Sequence, residues 1–132
     1  MIYRSFCLLI SACLLGFAAP SLGHHSFAAV FDANTTVEVS GTVTEVEWMN
    51  PHAWVHLDVE NEEGEVERWS FELGSPNGLI RRGWSRATIR PGDVISISGY
   101  RARDGSLRGN VKGVVLANGQ KLDGMSSRPP AD

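Results

Sequence analysis

All four histidines of this sequence fall at two places. His24 and His25 are adjacent near the N-terminus, and His52 and His56 stand four residues apart just after an Asn50-Pro51 pair. Imidazole nitrogens are ligands for first-row transition metals, with copper bound best and nickel and zinc behind. If the chain is cleaved after Gly23, His24 becomes the first residue and offers an α-amine together with its ring Nδ1, a chelate that no internal histidine forms. Such an amine titrates near ~8 and is readily deprotonated at Cu(II). Met49 could add a thioether. On a strand, His52 and His56 share a face but lie about 13 Å apart, too far to hold one ion together. If residues 26–31 double back on the first strand through Asp32-Ala33-Asn34, His24 arrives near Val43. The turn at Asn50-Pro51 sets His56 opposite about Glu45, so His56 becomes the preferred partner and His52 the reserve. The predicted metal ligands are therefore His24, His25, His56 and His52, with copper as the expected ion. The bland alternative is four solvated histidines.

A second feature lies between the strand histidines. Ala53, Val55, Leu57 and Val59 alternate with His52, Trp54 and His56, so an apolar face turned inward leaves Trp54 outside. Trp54, with Trp48 before the turn, is either a stacking platform for a sugar, peptide or planar ligand, or a side chain covered by Phe27 and Phe31. Other clusters say less. Asp58, Glu60, Glu62, Glu63, Glu65 and Glu67 lack the glycine register of a calcium loop, so they read as a solvated hairpin. Arg81, Arg82, Arg86 and Arg90 read as a solvated face, or as partners for those acids. Glu45 and Glu47 share a strand face without a visible second wall. No nucleophile elbow, phosphate loop, dinucleotide fingerprint or His-Glu-x-x-His occurs, and no enzymatic activity is expected.

The chain that must position these residues has 132 residues. Residues 1–23 read as an export signal, with Arg4, an uncharged apolar stretch over 6–19, and small residues at Ser21 and Gly23. Lipidation at Cys13 is the competing reading, but the apolar run continues past it. Both cysteines, Cys7 and Cys13, fall inside this segment, so the mature chain has no thiol for a disulfide or a metal thiolate. Losing Arg4 leaves 11 basic against 15 acidic residues, a net charge of −4. That excludes a nucleic-acid surface built on bulk positive charge. A periplasmic or secreted protein with no membrane span in its mature form is expected.

The remaining pattern is mostly β. Val37, Val39 and Val43 mark a first strand with Gly41 as a candidate bulge, running to Trp48. The second runs over 53–60, and after a turn at Asn61-Glu62-Glu63-Gly64 the third carries Trp69, Phe71 and Leu73. A short helix is expected over 77–84. A fourth strand follows around Val94, Ile95 and Ile97, and a fifth covers 111–116 after the Asp104-Gly105 hairpin signal. This order predicts a mainly β domain, a five-stranded OB-like Greek-key barrel with one short helix between strands 3 and 4. The expected division is signal 1–23, N-terminal segment 24–35, barrel 36–120 and a disordered tail 121–132.

His24-His25-Ser26-Phe27, Phe31-Asp32, Gly41-Thr42-Val43, Asn50-Pro51-His52 with Trp54, and Trp69-Ser70-Phe71-Glu72 together resemble an uncharacterised family of small exported bacterial proteins. Gly74-Ser75-Pro76-Asn77, Arg82-Gly83-Trp84 and Pro91-Gly92-Asp93 extend the resemblance over nearly the whole mature chain. It implies bacterial export and a single domain, and it names no substrate. Two functional expectations result. One is a periplasmic metal-binding protein. The other is a non-metal module that recognises a periplasmic protein or glycan partner through strands 2 and 3.

Overall fold

The computed structural model describes residues 27–126, so the export signal, His24, His25 and the end of the tail lie outside the described residues. A one-turn helix, α1 (Phe27–Val30), leads into β1 (Phe31–Glu47). β2 (Trp54–Glu60) and β3 (Val66–Glu72) follow, then the helix α2 (Pro76–Arg81), β4 (Val94–Ala102), β5 (Arg108–Val115) and β6 (Lys121–Asp123). The sheet order is β3-β2-β1-β4-β5-β6, and a parallel pairing of β3 with β5 closes the first five strands into a ring. Five strands in the order β1-β2-β3-β5-β4 with a helix between β3 and β4 make the OB-fold. The sequence-based fold therefore holds, with one strand added.

Strict alternation builds the barrel wall. Val55, Leu57 and Val59 on β2 and Trp69 and Phe71 on β3 are buried, while the residues between them face outward. Asn61 shapes the β2–β3 turn, its Oδ1 accepting from the N–H groups of Glu63 and Glu65. Ser75 caps α2 by accepting from the Gly78 N–H, and Pro76 occupies its first turn. The helix ends three residues before the expected Trp84. Arg82 and Trp84 both donate their N–H to the Leu79 carbonyl, and Gly83 takes φ +90.

The bulge in β1 is not at Gly41. The register on β2 runs Thr42–Asp58 and Val43–Leu57, then jumps to Glu45–His56, Val46–Val55 and Glu47–Trp54, leaving Thr44 as the extra residue. Gly41 is needed for a different reason: a Cβ there would stand 2.4 Å from the Asp58 carbonyl oxygen.

The expected disordered tail is partly structured. Lys121–Asp123 pairs with β5, and the segment beyond it straps the barrel end. Trp84 Nε1 donates to the Asp123 carbonyl (2.8 Å), Arg82 Nη1 to the Met125 carbonyl (2.8 Å), and the Gly74 N–H to the Gly124 carbonyl (2.9 Å). Arg82 thus serves this strap, with a further ion pair to Asp123, and not the acidic hairpin. The turn between β5 and β6 is made at Asn118-Gly119, with Gly119 at φ +84 and its N–H donating to the Leu116 carbonyl.

Truncation after Gln120 should therefore lower Tm by at least about 5 °C, equivalent to ~1 kcal/mol in a domain of this size. Calorimetry showing an unchanged Tm would restore the disordered tail. At the barrel closure, a Cβ on Gly109 would lie 2.5 Å from Phe71 Cε1. Gly109→Ala should cost about 1–3 kcal/mol by overpacking, read from urea unfolding.

Candidate functional site

The outward residues of four strands form one patch. Across β2 and β3, Trp54 faces Glu72 and His56 faces Ser70. On one side Glu45 and Glu47 of β1 stand opposite His56 and Trp54. On the other, Arg108 and Asn110 of β5 pair with Ser70 and Glu72. Residues directly opposite in a ladder project to the same face, so these side chains gather by register alone. His56 lies opposite Glu45, as the sequence suggested.

The patch holds two histidines in different surroundings. His56 is committed at both nitrogens: Nδ1 is 2.8 Å from Ser70 Oγ and Nε2 is 2.7 Å from Glu47 Oε1. Thr44, the bulged residue, donates its hydroxyl to the His56 carbonyl at 3.2 Å and fixes the strand there. The His56 side chain is 19% exposed and that of Glu47 32%.

His52 lies before β2, with Nδ1 3.8 Å from Glu72 Oε1. The same carboxylate oxygen accepts from Asn110 Nδ2 at 3.3 Å, and Asn110 Nδ2 also reaches Ser126 Oγ on the C-terminal strap. Asn110 is fully buried, and its Oδ1 has no hydrogen-bond partner among the described residues. Between the two histidine environments sits Trp54, half-buried, with the Arg108 guanidinium 5.1 Å from its ring centroid.

The N-terminal segment takes a different route from the expected one. Asp32-Ala33-Asn34 is part of β1 and makes no reversal. Phe31 pairs with Ala102, and Phe27 meets Tyr100 edge-on with centroids 5.3 Å apart. Arg103 pins the segment, its Nε donating to the carbonyls of Ala28 (2.8 Å) and Phe31 (3.1 Å). The chain therefore enters beside Tyr100 and not near Val43. Phe27 and Phe31 also do not cover Trp54; their cluster is with Tyr100 and Ala102. Asp32 turns its carboxylate onto the Asn34 N–H and the Thr35 hydroxyl, which hold its pKa below the ordinary value.

Other expected site residues are dispersed. Trp48 packs against the core beside Val46, Leu73 and Trp84, away from the patch. Met49 is exposed. No group of three or more His, Cys, Asp or Glu side chains able to hold a metal occurs among the described residues. Sequence reasoning missed Ser70, Glu72, Arg108 and Asn110. Ser70 and Glu72 were within reach of hairpin arithmetic, since a turn pairing Glu60 with Val66 sets His56 against Ser70. Arg108 and Asn110 arrive only through barrel closure, which no local pattern announces.

Among solved structures, the mitochondrial single-stranded DNA binding protein of S. cerevisiae is similar, at TM-score 0.49 and 11% identity over 66% of this chain and 94% of that one. No curated protein matches the chain. A family of unknown function, DUF6152, matches residues 12–112. The resemblance drawn from the spaced motifs thus has a defined counterpart, and the chain belongs to the DUF6152 family.

Proposed function

We propose that this protein binds a transition metal, copper above others, through the N-terminal histidines together with His52 and Glu72. The observation that carries this reading is where the chain enters the barrel. Tyr100, which Phe27 touches, pairs with Asn110, and Asn110 pairs with Glu72. Two strand spacings, roughly 10 Å, separate the entry point from that carboxylate. His24 is three residues upstream of Phe27 and can span about 10 Å, so its length suffices.

The donor chemistry agrees. Two ligands on a tetrahedral ion at about 2.0–2.2 Å stand roughly 3.4 Å apart, and a wider angle accommodates the 3.8 Å between His52 Nδ1 and Glu72 Oε1. This pair gives two donors, and in this reading the His24 amine and ring and His25 would complete the site. His52 is preferred to His56 here for its place beside Glu72 and toward the chain entry, while His56 lies between Glu47 and Ser70. The order of preference between His52 and His56 is thus the reverse of the one suggested by the sequence. Export to the periplasm or beyond is part of this proposal, since only signal cleavage frees the amine.

A second reading rests on Trp54 and Arg108. A guanidinium stacked on a half-exposed indole is a preorganised, fixed positive charge, suited to a periplasmic protein or glycan that carries carboxylates. It requires no metal.

Cu(II) titration of protein beginning at His24 separates the two. One glycine added before His24 should weaken binding more than tenfold, beyond ~1.4 kcal/mol. His52→Ala should weaken it to a similar degree, and His56→Ala should change it less than about twofold, within the weak effect of a residue outside the ligand set. Equal curves for native and extended protein, or a larger loss from His56→Ala, would overturn the metal reading and leave the Trp54–Arg108 face.

A further inference from the structure

We propose that Ser70 is a nucleophile, activated by His56 and Glu47, for acyl transfer from carboxylic esters, independently of any metal at His52. The argument begins with the tautomer of His56. A carboxylate only accepts hydrogen bonds, so Glu47 Oε1 at 2.7 Å requires the proton on Nε2. A neutral imidazole has one N–H, which leaves Nδ1 as a lone pair aimed at Ser70 Oγ, 2.8 Å away. The hydroxyl proton then points at a base whose other nitrogen is held by a carboxylate. The roles are those of an activated serine, base and orienting carboxylate, with the two ring nitrogens exchanged relative to the Ser-His-Asp triad.

The surroundings favour this use over a passive cross-strand ladder. Serine pairs elsewhere on the barrel lack a base: Ser40 and Ser96 simply meet each other at 2.6 Å. Thr44 fastens the His56 carbonyl, so the imidazole sits on a braced strand. Arg108 is the residue opposite Ser70 in the β3–β5 register and, over the Trp54 ring, brings a cation to the same patch. The patch is an open sheet face, which fits an ester displayed on an extended molecule.

The step balances without a cofactor. Ser70 Oγ bonds to the ester carbonyl carbon while its proton passes to His56 Nδ1. The acyl C–O bond breaks, and the departing alkoxide takes that proton and leaves as an alcohol. Water then attacks the acyl-serine, giving a proton to Nδ1, and the carboxylic acid leaves as Ser70 Oγ recovers the proton. Glu47 stays ionised throughout and is a positioning residue, holding the imidazolium and its tautomer.

The test uses the processed protein, a fluorophosphonate probe and p-nitrophenyl acetate, with adducts mapped by mass spectrometry. One phosphonyl adduct on Ser70 is expected, with Ser40 and Ser96 unlabelled as internal references. His56→Gln should slow labelling by about 100-fold or more, the scale of a lost general base. Glu47→Gln should slow it at least about tenfold, and Glu47→Asp should restore part of the rate, which a merely structural carboxylate would not do. Circular dichroism of each variant checks folding. No adduct on the parent protein, adducts spread over surface serines, or an unchanged rate in a folded His56→Gln protein would each overturn the proposal.

Discussion

The outer patch depends on one extra residue. Without the bulge at Thr44, the Val43–Leu57 pair would continue as Thr44 against His56 and Glu45 against Val55, pushing a carboxylate into the core. With the bulge, Val43 and Val46 both face inward, and Glu45 and Glu47 both turn out beside His56 and Trp54. A one-residue shift flips every later side chain to the opposite face. Burial of Val43 and Val55 therefore enforces the position of Glu47, and through it the orientation of His56. The apolar core and the polar site are set by the same register.

Closure of the ring is the second constraint. β3 meets β5 over only three residue pairs, with Gly109 lying flat against the Phe71 ring. Those pairs bring Arg108 to Ser70 and Asn110 to Glu72. Asn110 then links the closure to the C-terminal strap through Ser126, while Arg82 and Trp84, just after α2, hold the strap from the other side. The Arg-Gly-Trp motif therefore has a packing role: its arginine and its tryptophan both donate to carbonyls of the C-terminal strap.

Much of this was legible in the sequence, and the failures have physical causes. Alternation on β2 and the hairpin at Asn61 were readable because both are local. The bulge was readable too, since the apolar positions change parity between Val43 and Val46, but glycine at 41 drew the assignment away. Gly41 marks close backbone approach, which local pattern cannot distinguish from a bulge. The path of residues 27–34 was misread because Phe27 and Phe31 are satisfied by Tyr100, about seventy positions away in the chain. Strand β6 was missed because three residues give too short an alternation to recognise. The Glu72 carboxylate beside His52 is visible only once β3 is set in register on β2 and β5.

On one small face divided by Trp54 and Arg108, His52 stands beside Glu72 and His56 between Ser70 and Glu47. That division rests on His56 being held as the Nε2–H tautomer by Glu47. Long-range ¹H–¹⁵N correlation spectra of the histidine rings in the metal-free protein test it most directly. The account predicts a protonated Nε2 and an unprotonated Nδ1 for neutral His56, with the pattern disturbed in Glu47→Gln. A protonated Nδ1 in the parent protein, or an averaged ring whose shifts ignore Glu47→Gln, would contradict it.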